Sequence, residues 1–353
     1  MEKLDRLLER IEPASKDWEA KAWERLHAQI RPRDSLGRLE VIAARLAAIK
    51  RSLTPAVGRK IIFTMAGDHG VAAEGVSAYP QEVTAQMVGS FVRGWASINV
   101  LAVHCGAAVR VVDCGVASDL PPDWPVLRRK LGKGTANIAV GPAMSREAAA
   151  QGLTIGAEIV QEAHLEEGYL LFGTGDMGIG NTTPSTAIIA ALGGKPVRDL
   201  TGRGTGIDDV AFERKVRVIE RALAVNRPDP NDPLGVLAGV GGFEIAALGG
   251  AVLGAAALRV PIICDGFIAT AGALVACRLA PKAADYLFVS HRSREVGHTA
   301  MAEMLGLRPI LDLDMRLGEG TGSALAMNIV EAAAKVLIEC KTFDEAGVTD
   351  TGH

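Results

Sequence analysis

Apolar positions along the chain follow two different periods, which predict where helices and strands occur. Residues 4–11 and 18–26 carry apolar side chains at helical spacing, and the same spacing resumes over residues 39–53 after a break near Pro32. A further helix is predicted near the C-terminus, over residues 322–340. The chain therefore begins and ends with helical segments.

Short runs of consecutive apolar residues predict β-strands, and each run leads into a glycine-containing loop. These runs cover residues 61–66, 109–113, 169–172, 262–265 and 310–313. Because strands alternate with helices, we predict an α/β fold with a Rossmann-like, mostly parallel sheet and helices on both faces. The terminal segments, residues 1–30 and 328–353, predict a small helical subdomain beside an α/β domain over residues 31–327. In such folds ligands bind beyond the carboxyl ends of the strands.

Composition narrows the class of protein. Of 353 residues, 48% are hydrophobic and 40 are glycine, which favours an α/β enzyme and excludes a disordered chain. A net charge of −3 gives no electrostatic footprint for nucleic acid. The longest apolar run, residues 245–258, is shorter than the about 20 residues that span a bilayer, so we predict a buried helix. We expect no membrane partner and no signal peptide.

The five cysteines are widely spaced, odd in number and without a CxxC pair. This pattern indicates neither a zinc site nor a disulfide framework. We therefore expect a reducing, cytoplasmic setting.

The stretch GTGDMGIGNTT contains Gly173, Gly175 and Gly178 at the spacing of a dinucleotide-binding fingerprint, so an NAD-dependent oxidoreductase is one hypothesis. That fingerprint requires a helix that starts within the glycine run and an acidic residue about 20 positions later, at the end of the next strand. Here Pro184, with Thr183 as its cap, predicts a later helix start. The acidic residue near the required spacing lies in a turn-like stretch. The context therefore disfavours a dinucleotide site.

The same stretch still offers backbone N–H groups and the positive end of a helix, which together can bind an anion. A second glycine loop, GRGTG at residues 202–206, has the same character and is followed by Lys215. Two such loops facing one pocket would suit a phosphate or phosphoribosyl group. The alternative interpretation is that these glycines only permit tight turns.

Two histidine-containing stretches predict neither a metal site nor a hydrolase. GDHG places His69 beside Asp68, but the seven histidines never occur at HxH, HxxxH or HExxH spacing. We predict a hydrogen-bonded loop histidine there. SHRSREVGH, at residues 290–298, places Ser beside His, but the chain has no GxSxG elbow.

The stretch MRLGEGTGS places Glu319 between two glycines at a predicted strand-to-helix loop, where a ligand could approach it closely. A helix N-terminus lowers the pKa of a carboxyl group and burial raises it, so the balance decides whether Glu319 can accept a proton near neutral pH. Alternatively, Glu319 only stabilises the helix dipole.

Taken in order along the chain, these motifs resemble those of one family. The stretches are DHGVAAEGVSAYPQEVT, GDMGIGNTTPSTA, GRGTGIDD, GVGGFEIAALGGAVLGAA, DGFI and RLGEGTGSALAM. Their order is similar to that in nicotinate-nucleotide–dimethylbenzimidazole phosphoribosyltransferases, which activate the lower-ligand base of cobalamin. The resemblance runs from residue 35 to the last long helix. It implies that nicotinate mononucleotide and a benzimidazole react, without a cofactor, to give α-ribazole 5′-phosphate and nicotinate.

The resemblance also implies roles for individual residues. Glu319 would be the general base that deprotonates the incoming base, with Asp176 and Lys215 also in the catalytic group. The residues implied for the phosphate and ribose are Gly178, Gly180, Asn181, Thr182 and Gly204. Our candidates for lining the base pocket are Tyr79, Pro80, Gln86, Met87 and Leu317. The resemblance further implies a homodimer.

The chain departs from the family pattern at Asp176, where other members often have Glu. Asp keeps the charge but shortens the reach by one methylene. Variation in SAYPQEVTAQM leaves the choice among benzimidazole, substituted benzimidazoles, purines and phenols open. A non-catalytic nucleotide-binding subunit is the third hypothesis, beside the transferase and the oxidoreductase.

Overall fold

A single parallel β-sheet organises the chain, described over residues 1–204 and 206–349 by a computed structural model. Its strands are β1 (Lys60–Gly67), β2 (Ala107–Gly115), β3 (Leu127–Arg128), β4 (Leu171–Met177), β5 (Ile262–Cys264) and β6 (Leu287–Val289). Their order is β3-β2-β1-β4-β5-β6, and every pairing is parallel. This is the Rossmann order, which reverses direction between β1 and β4. The predicted α/β fold is confirmed.

Helices precede the sheet, connect its strands and cover both faces. The first five are α1 (Glu2–Glu9), α2 (Lys16–His27), α3 (Arg38–Lys50), α4 (Val83–Val92) and α5 (Ser97–Cys105). The next five are α6 (Arg146–Leu165), α7 (Thr182–Gly193), α8 (Val197–Leu200), α9 (Asp209–Asn226) and α10 (Pro233–Val240). The last five are α11 (Phe243–Leu258), α12 (Phe267–Leu279), α13 (Val296–Met304), α14 (Thr321–Glu339) and α15 (Phe343–Ala346). Short 3-10 helices occupy Gly70–Glu74 and Pro281–Tyr286.

The helix predicted over residues 245–258 is confirmed as buried, because α11 packs closely against α6. A Cβ atom on Gly156 would lie 1.9 Å from the carbonyl oxygen of Ala247, and one on Gly250 would lie 2.0 Å from that of Leu153. Glycine at these positions lets the two backbones touch. In the described part of the chain, α14 alone is long and apolar enough to cross a membrane, and 56% of its apolar window is buried inside the fold.

Three local predictions differ from the structure. Residues 310–313 form no strand; Ile310 and Leu311 donate to the carbonyls of Val289 and Ser290 at the end of β6, but the pairing is limited to one bridge between Leu311 and His291. Helix α7 starts at Thr182, two residues before the predicted start at Pro184. Pro184 still lies in the first turn of the helix, where N–H groups have no partner within the helix and proline is therefore tolerated. The strand predicted over 169–172 instead begins at Leu171 and continues to Met177.

The terminal helices share the core of the sheet. Leu4, Leu26 and Leu337 are buried in the same hydrophobic cluster as β1 and β4. The division into a helical subdomain (1–30 and 328–353) and an α/β domain (31–327) stays a prediction.

Candidate active site

A cleft of about 670 Å³ opens beyond the carboxyl ends of β4, β5 and β6. Most residues predicted for the site line it: Tyr79, Met87, Asp176, Gly178, Gly180, Asn181, Thr182, Gly204, Leu317 and Glu319. Lys215 lies behind the cleft wall, bonded to Thr182. Pro80 and Gln86 are exposed and do not line the cleft. The predicted loops therefore converge on one place in the fold.

Glu319 is held in a strained loop with its carboxylate buried. Its φ is +64°, and its neighbours Gly318 and Gly320 have φ of +88° and +105°. The side-chain Oε2 accepts the backbone N–H of Ile98, 3.2 Å away in the first turn of α5. Burial raises the pKa of Glu319 above its usual 4.5, and the Ile98 N–H offsets only part of this rise. A non-glycine residue in this conformation is typical of functional sites.

The glycines of the supposed dinucleotide fingerprint serve packing. Gly173 and Gly175 lie inside β4, where a Cβ on Gly173 would come within 2.9 Å of Met327 on α14. A Cβ on Gly175 would lie 2.3 Å from the carbonyl oxygen of Glu319. Glycine at these positions lets α14 and the loop before it press onto β4.

Asp176 is buried at the end of β4 with one oxygen free. Its Oδ2 accepts the Asn181 side-chain N–H at 2.9 Å, whereas Oδ1 has no hydrogen-bond partner in the described chain. Burial, together with the nearby carboxyl group of Asp265, raises the pKa of Asp176 well above its usual 3.8. The environment therefore favours the protonated, neutral form.

Asp265, which follows β5, fixes the loop that carries Glu319. Its Oδ2 accepts the N–H of Gly320 at 2.9 Å, and its Oδ1 accepts those of Gly322 at 2.7 Å and Ser323 at 3.2 Å. These are N–H groups at the start of α14, which have no partner within the helix. Burial raises the pKa of Asp265 to about 7, although the three N–H bonds oppose the rise.

The loop between β4 and α7 presents an anion-binding surface. In the described chain, no hydrogen bond uses the backbone N–H of Gly180 or Thr182, and both residues line the cleft. Gly180 has φ of +87°, which glycine adopts without strain. Free N–H groups at a helix N-terminus bind phosphate and carboxylate.

Lys215 supplies a buried cation behind this surface. Its Nζ donates to the Thr182 hydroxyl at 2.8 Å and to the Gly202 carbonyl at 3.1 Å. Burial lowers the pKa of Lys215 to about 8, and the carboxylate of Glu295 opposes this effect. The ammonium group is therefore mostly charged at neutral pH and loses its charge a little above it.

Gly204 is held from two sides. Its N–H donates to Glu295 Oε1 at 3.1 Å, and its carbonyl accepts from Arg316 Nη1 at 2.7 Å. Glu295 is buried and its Oε2 has no partner in the described chain. Thr205, in the same predicted loop, lies outside the described residues.

The mouth of the cleft has an apolar wall. Tyr79, Met87 and Leu317 are joined there by residues that the sequence had not singled out: Val76, Val83, Ile179, Phe267 and Ile268. Tyr79 and Leu317 are 54% and 56% exposed, so this wall can cover a flat ligand. Phe267 and Ile268 belong to the DGFI motif, which could have indicated them.

Sequence reasoning also missed polar residues of the cleft. His291, Ser293 and Glu295 lie in SHRSREVGH, a stretch considered only as a hydrolase motif. Its position after β6 could have pointed to the site. His69 Nε2 is hydrogen-bonded to Glu244 Oε1 at 2.7 Å, which confirms the predicted hydrogen-bonded loop histidine.

In the described ranges one group of possible metal ligands occurs, formed by His27, Asp34 and Glu40, none of which lines the cleft. Glu40 is already paired with Arg31. This group supports no role in the cleft.

An anion-binding helix terminus, a buried cation and a buried carboxylate thus share one cleft of a Rossmann-like sheet. These features define an α/β enzyme that handles a phosphorylated small molecule. A family model described as phosphoribosyltransferase (DBI_PRT) matches residues 11–348. The chain belongs to this family of phosphoribosyltransferases.

Similar proteins carry a more specific name. A nicotinate-nucleotide–dimethylbenzimidazole phosphoribosyltransferase of Syntrophobacter fumaroxidans is 97% identical over the full length of both chains. One of the same name from Geobacter sulfurreducens is 55% identical over 98% of each chain. The crystal structure of CobT from Thermus thermophilus superposes with a TM-score of 0.91, at 48% identity, over 94% of this chain and 99% of that one.

Family membership confirms the predicted enzyme class, pentosyl transfer in cobalamin lower-ligand synthesis. The oxidoreductase hypothesis is wrong, since Gly173 and Gly175 lie within a strand and carry its packing. The hypothesis of a non-catalytic nucleotide-binding subunit is also wrong, because the chain belongs to a family of transferases.

Proposed function

We propose that the chain transfers the phosphoribosyl group of nicotinate mononucleotide to 5,6-dimethylbenzimidazole or a related base, with Glu319 as the general base. The observation that carries this proposal is that Glu319 and the anion-binding surface at Gly180 and Thr182 line the same cleft. The N–H groups of Gly180 and Thr182 suit a phosphate, and the raised pKa of the Glu319 carboxyl group suits proton transfer in the same cleft.

The chemistry requires one base and no acid. The ring nitrogen of the nicotinate is already cationic, so it leaves with the electron pair of the glycosidic bond as neutral pyridine nitrogen. The incoming base forms the new bond to the anomeric carbon from the opposite face. Its other ring nitrogen then releases a proton, which the carboxylate of Glu319 accepts. This assignment needs Glu319 to be ionised before each turnover.

Phosphate anchoring would fix the ribosyl group for this displacement. The N–H groups of Gly180 and Thr182 would bind the phosphate oxygens, with Gly178 and Asn181 shaping the loop. Lys215 uses two of its three N–H donors on Thr182 and Gly202, and its charge would stabilise the dianion. Gly204 can donate its N–H to phosphate once Glu295 releases it. Anchoring of this kind lowers the barrier by positioning the reactants.

Asp176 would orient the ribose and take no part in proton transfer. Its Oδ1 has no partner in the described chain, and burial raises its pKa well above the ordinary value, which favours a protonated carboxyl group that would donate a hydrogen bond to a ribose oxygen. The flat base would lie against Tyr79, Met87 and Leu317. Pro80 and Gln86 are left out of this wall because they do not reach the cleft.

A panel assay tests the proposal. The protein is incubated with nicotinate mononucleotide and, separately, with benzimidazole, 5,6-dimethylbenzimidazole, adenine and a phenol, and α-ribotides are measured by mass spectrometry. We expect product with at least one benzimidazole and the release of one nicotinate per product. Absence of any ribotide, with nicotinate mononucleotide unconsumed, would contradict the proposal.

We also propose that the enzyme is a cytoplasmic homodimer. All five cysteines are free thiols, four of them buried, which suits a reducing compartment. Trp95, Val100 and Val103, at and before α5, are exposed apolar side chains that a second copy could cover. Light scattering coupled to size exclusion should give twice the 37.0 kDa chain mass. A monomeric mass at micromolar concentration would contradict the dimer.

A further inference from the structure

Hydrogen bonds around His291 fix which of its ring nitrogens carries the proton. The Ser290 hydroxyl lies 2.9 Å from the carbonyl oxygen of Asp265 and 2.8 Å from His291 Nδ1. A hydroxyl has one proton to donate, and a carbonyl can only accept, so both contacts are satisfied only when Ser290 donates to Asp265. His291 must then donate from Nδ1. The neutral ring leaves Nε2 bare, as an acceptor.

His298, stacked on His291 with ring centroids 6.2 Å apart, holds the opposite tautomer. Its Nδ1 accepts the backbone N–H of Ser293 at 3.3 Å, so its proton is on Nε2, which faces the Thr270 hydroxyl at 3.1 Å. Burial lowers the pKa of His298 to about 3 and that of His291 to about 4. Both rings are therefore neutral at physiological pH, but only His291 lines the cleft.

The ring of His291 is clamped, which fixes the direction of Nε2. A Cβ on Gly322 would lie 2.1 Å from Nδ1, and one on Gly266 would lie 3.7 Å from Nε2. In the part of the chain that the structure describes, Nε2 has no hydrogen-bond partner, although the residue is only 1% exposed. An acceptor without a protein partner on a residue that lines the cleft can take a hydrogen bond from a bound ligand.

We infer that His291 Nε2 accepts a hydrogen bond from a ribose hydroxyl of the bound mononucleotide. This inference rests on the proposed function and assigns a substrate contact within that site. Nicotinate mononucleotide offers acceptors at its carboxylate, its ring has no N–H, and its phosphate is largely ionised. The 2′- and 3′-hydroxyls are the donors that remain. A site built to bond a hydroxyl rejects the analogue that lacks it.

The incoming benzimidazole also has one N–H, and it is the other possible donor. In the proposed mechanism that proton goes to Glu319. His291 is moreover a poor proton acceptor, since burial depresses its basicity. The ribose is therefore the assigned partner, and the affinity of each variant for benzimidazole is measured as well to test the alternative donor.

The test compares the binding of nicotinate mononucleotide with that of its 2′-deoxy and 3′-deoxy analogues by isothermal titration calorimetry. We expect the wild type to bind one of the two analogues about tenfold more weakly, the value of one hydrogen bond. In His291→Asn, whose amide reaches the Nδ1 position but not Nε2, that ratio should fall to about one, because the acceptor is gone. His291→Gln, whose amide oxygen reaches the Nε2 position, should restore part of the ratio. His298→Gln is the matched control and should keep the wild-type ratio.

Several results would overturn the inference. One is that the wild type binds both analogues as tightly as nicotinate mononucleotide. This result does not depend on whether any variant folds. Another is a His291→Asn variant that is folded by circular dichroism and keeps the wild-type ratio. A third is a variant whose affinity changes for benzimidazole alone. If instead the wild type neither binds nor consumes nicotinate mononucleotide, the proposed function itself fails.

Discussion

The Cα atom of Gly175 supports the backbone of Glu319, since a Cβ at Gly175 would lie 2.3 Å from the Glu319 carbonyl oxygen. The Thr64 hydroxyl, on the neighbouring strand β1, donates to the same oxygen at 2.8 Å. Two adjacent strands therefore fix the height of the Glu319 loop above the sheet.

Gly175→Ala should push this loop away from β4. We expect a loss of about 1–3 kcal/mol in the free energy of unfolding, as for other overpacked sites, and a clear fall in turnover. Urea unfolding and the ribotide assay would measure the two effects. Gly58→Ala is the control, because a Cβ there meets no atom within 4 Å. Equal stability and turnover in the two variants would show that the contact does not hold the loop.

Glu319→Gln should lower turnover by about 10²–10⁴-fold, the usual contribution of a general base. The amide keeps the size of the side chain, so the affinity for nicotinate mononucleotide should stay close to that of the wild type. The deficit should shrink for benzimidazoles with a more acidic ring N–H, which need less help to lose their proton. Unchanged product formation in the Glu319→Gln variant would contradict the assignment of Glu319 as the general base.

Asp176→Asn should retain turnover within about tenfold, because the amide keeps hydrogen-bonding capacity and the environment of Asp176 favours the uncharged form of its carboxyl group. Asp176→Ala should lose about 100-fold by releasing the ribose from its orientation. The raised pKa means that the folded state holds this proton more tightly than the unfolded state does. Wild-type stability should therefore fall as pH rises above the unfolded value of 3.8, and the Asn variant should escape this part of the fall. If the Asp176→Asn variant were as inactive as the Asp176→Ala variant, the proposed role of Asp176 in orienting the ribose would be wrong.

Binding of nicotinate mononucleotide should weaken as pH rises through about 8, the pKa of Lys215, because the lysine then loses the charge that we propose stabilises the phosphate. Calorimetry between about pH 7 and 9.5 would follow this change. Lys215→Met should bind more weakly at neutral pH and show no such weakening at higher pH. A wild-type affinity that stays constant across this range would remove Lys215 from the phosphate site.

Predictability from sequence differed between parts of the fold and of the site. Long apolar runs predicted β1 and α11 because a strand buried on both faces, or a helix buried all round, needs little else to identify it. The two-residue β3 carries no such pattern, since tertiary packing decides a pairing that short. Strand β6 was missed although residues 286–289 form an apolar run like those that predicted the other strands. Glycine motifs indicated the anion-binding loop at Gly180. The contact between Glu319 and the N–H of Ile98 joins segments 221 positions apart, which no local pattern encodes.

The hydrogen bond from Arg316 to the Gly204 carbonyl joins the segment that holds Glu319 to the loop beside the proposed phosphate site. Leu317, the next residue, belongs to the apolar wall proposed for the base. Movement of Gly204 on phosphate binding would thus be transmitted to that wall. Binding free energies are linked reciprocally. If bound nucleotide changes the affinity for the base by some factor, bound base must change the affinity for the nucleotide by the same factor. Arg316 would in this way couple the affinities of the two substrates, equally in both directions.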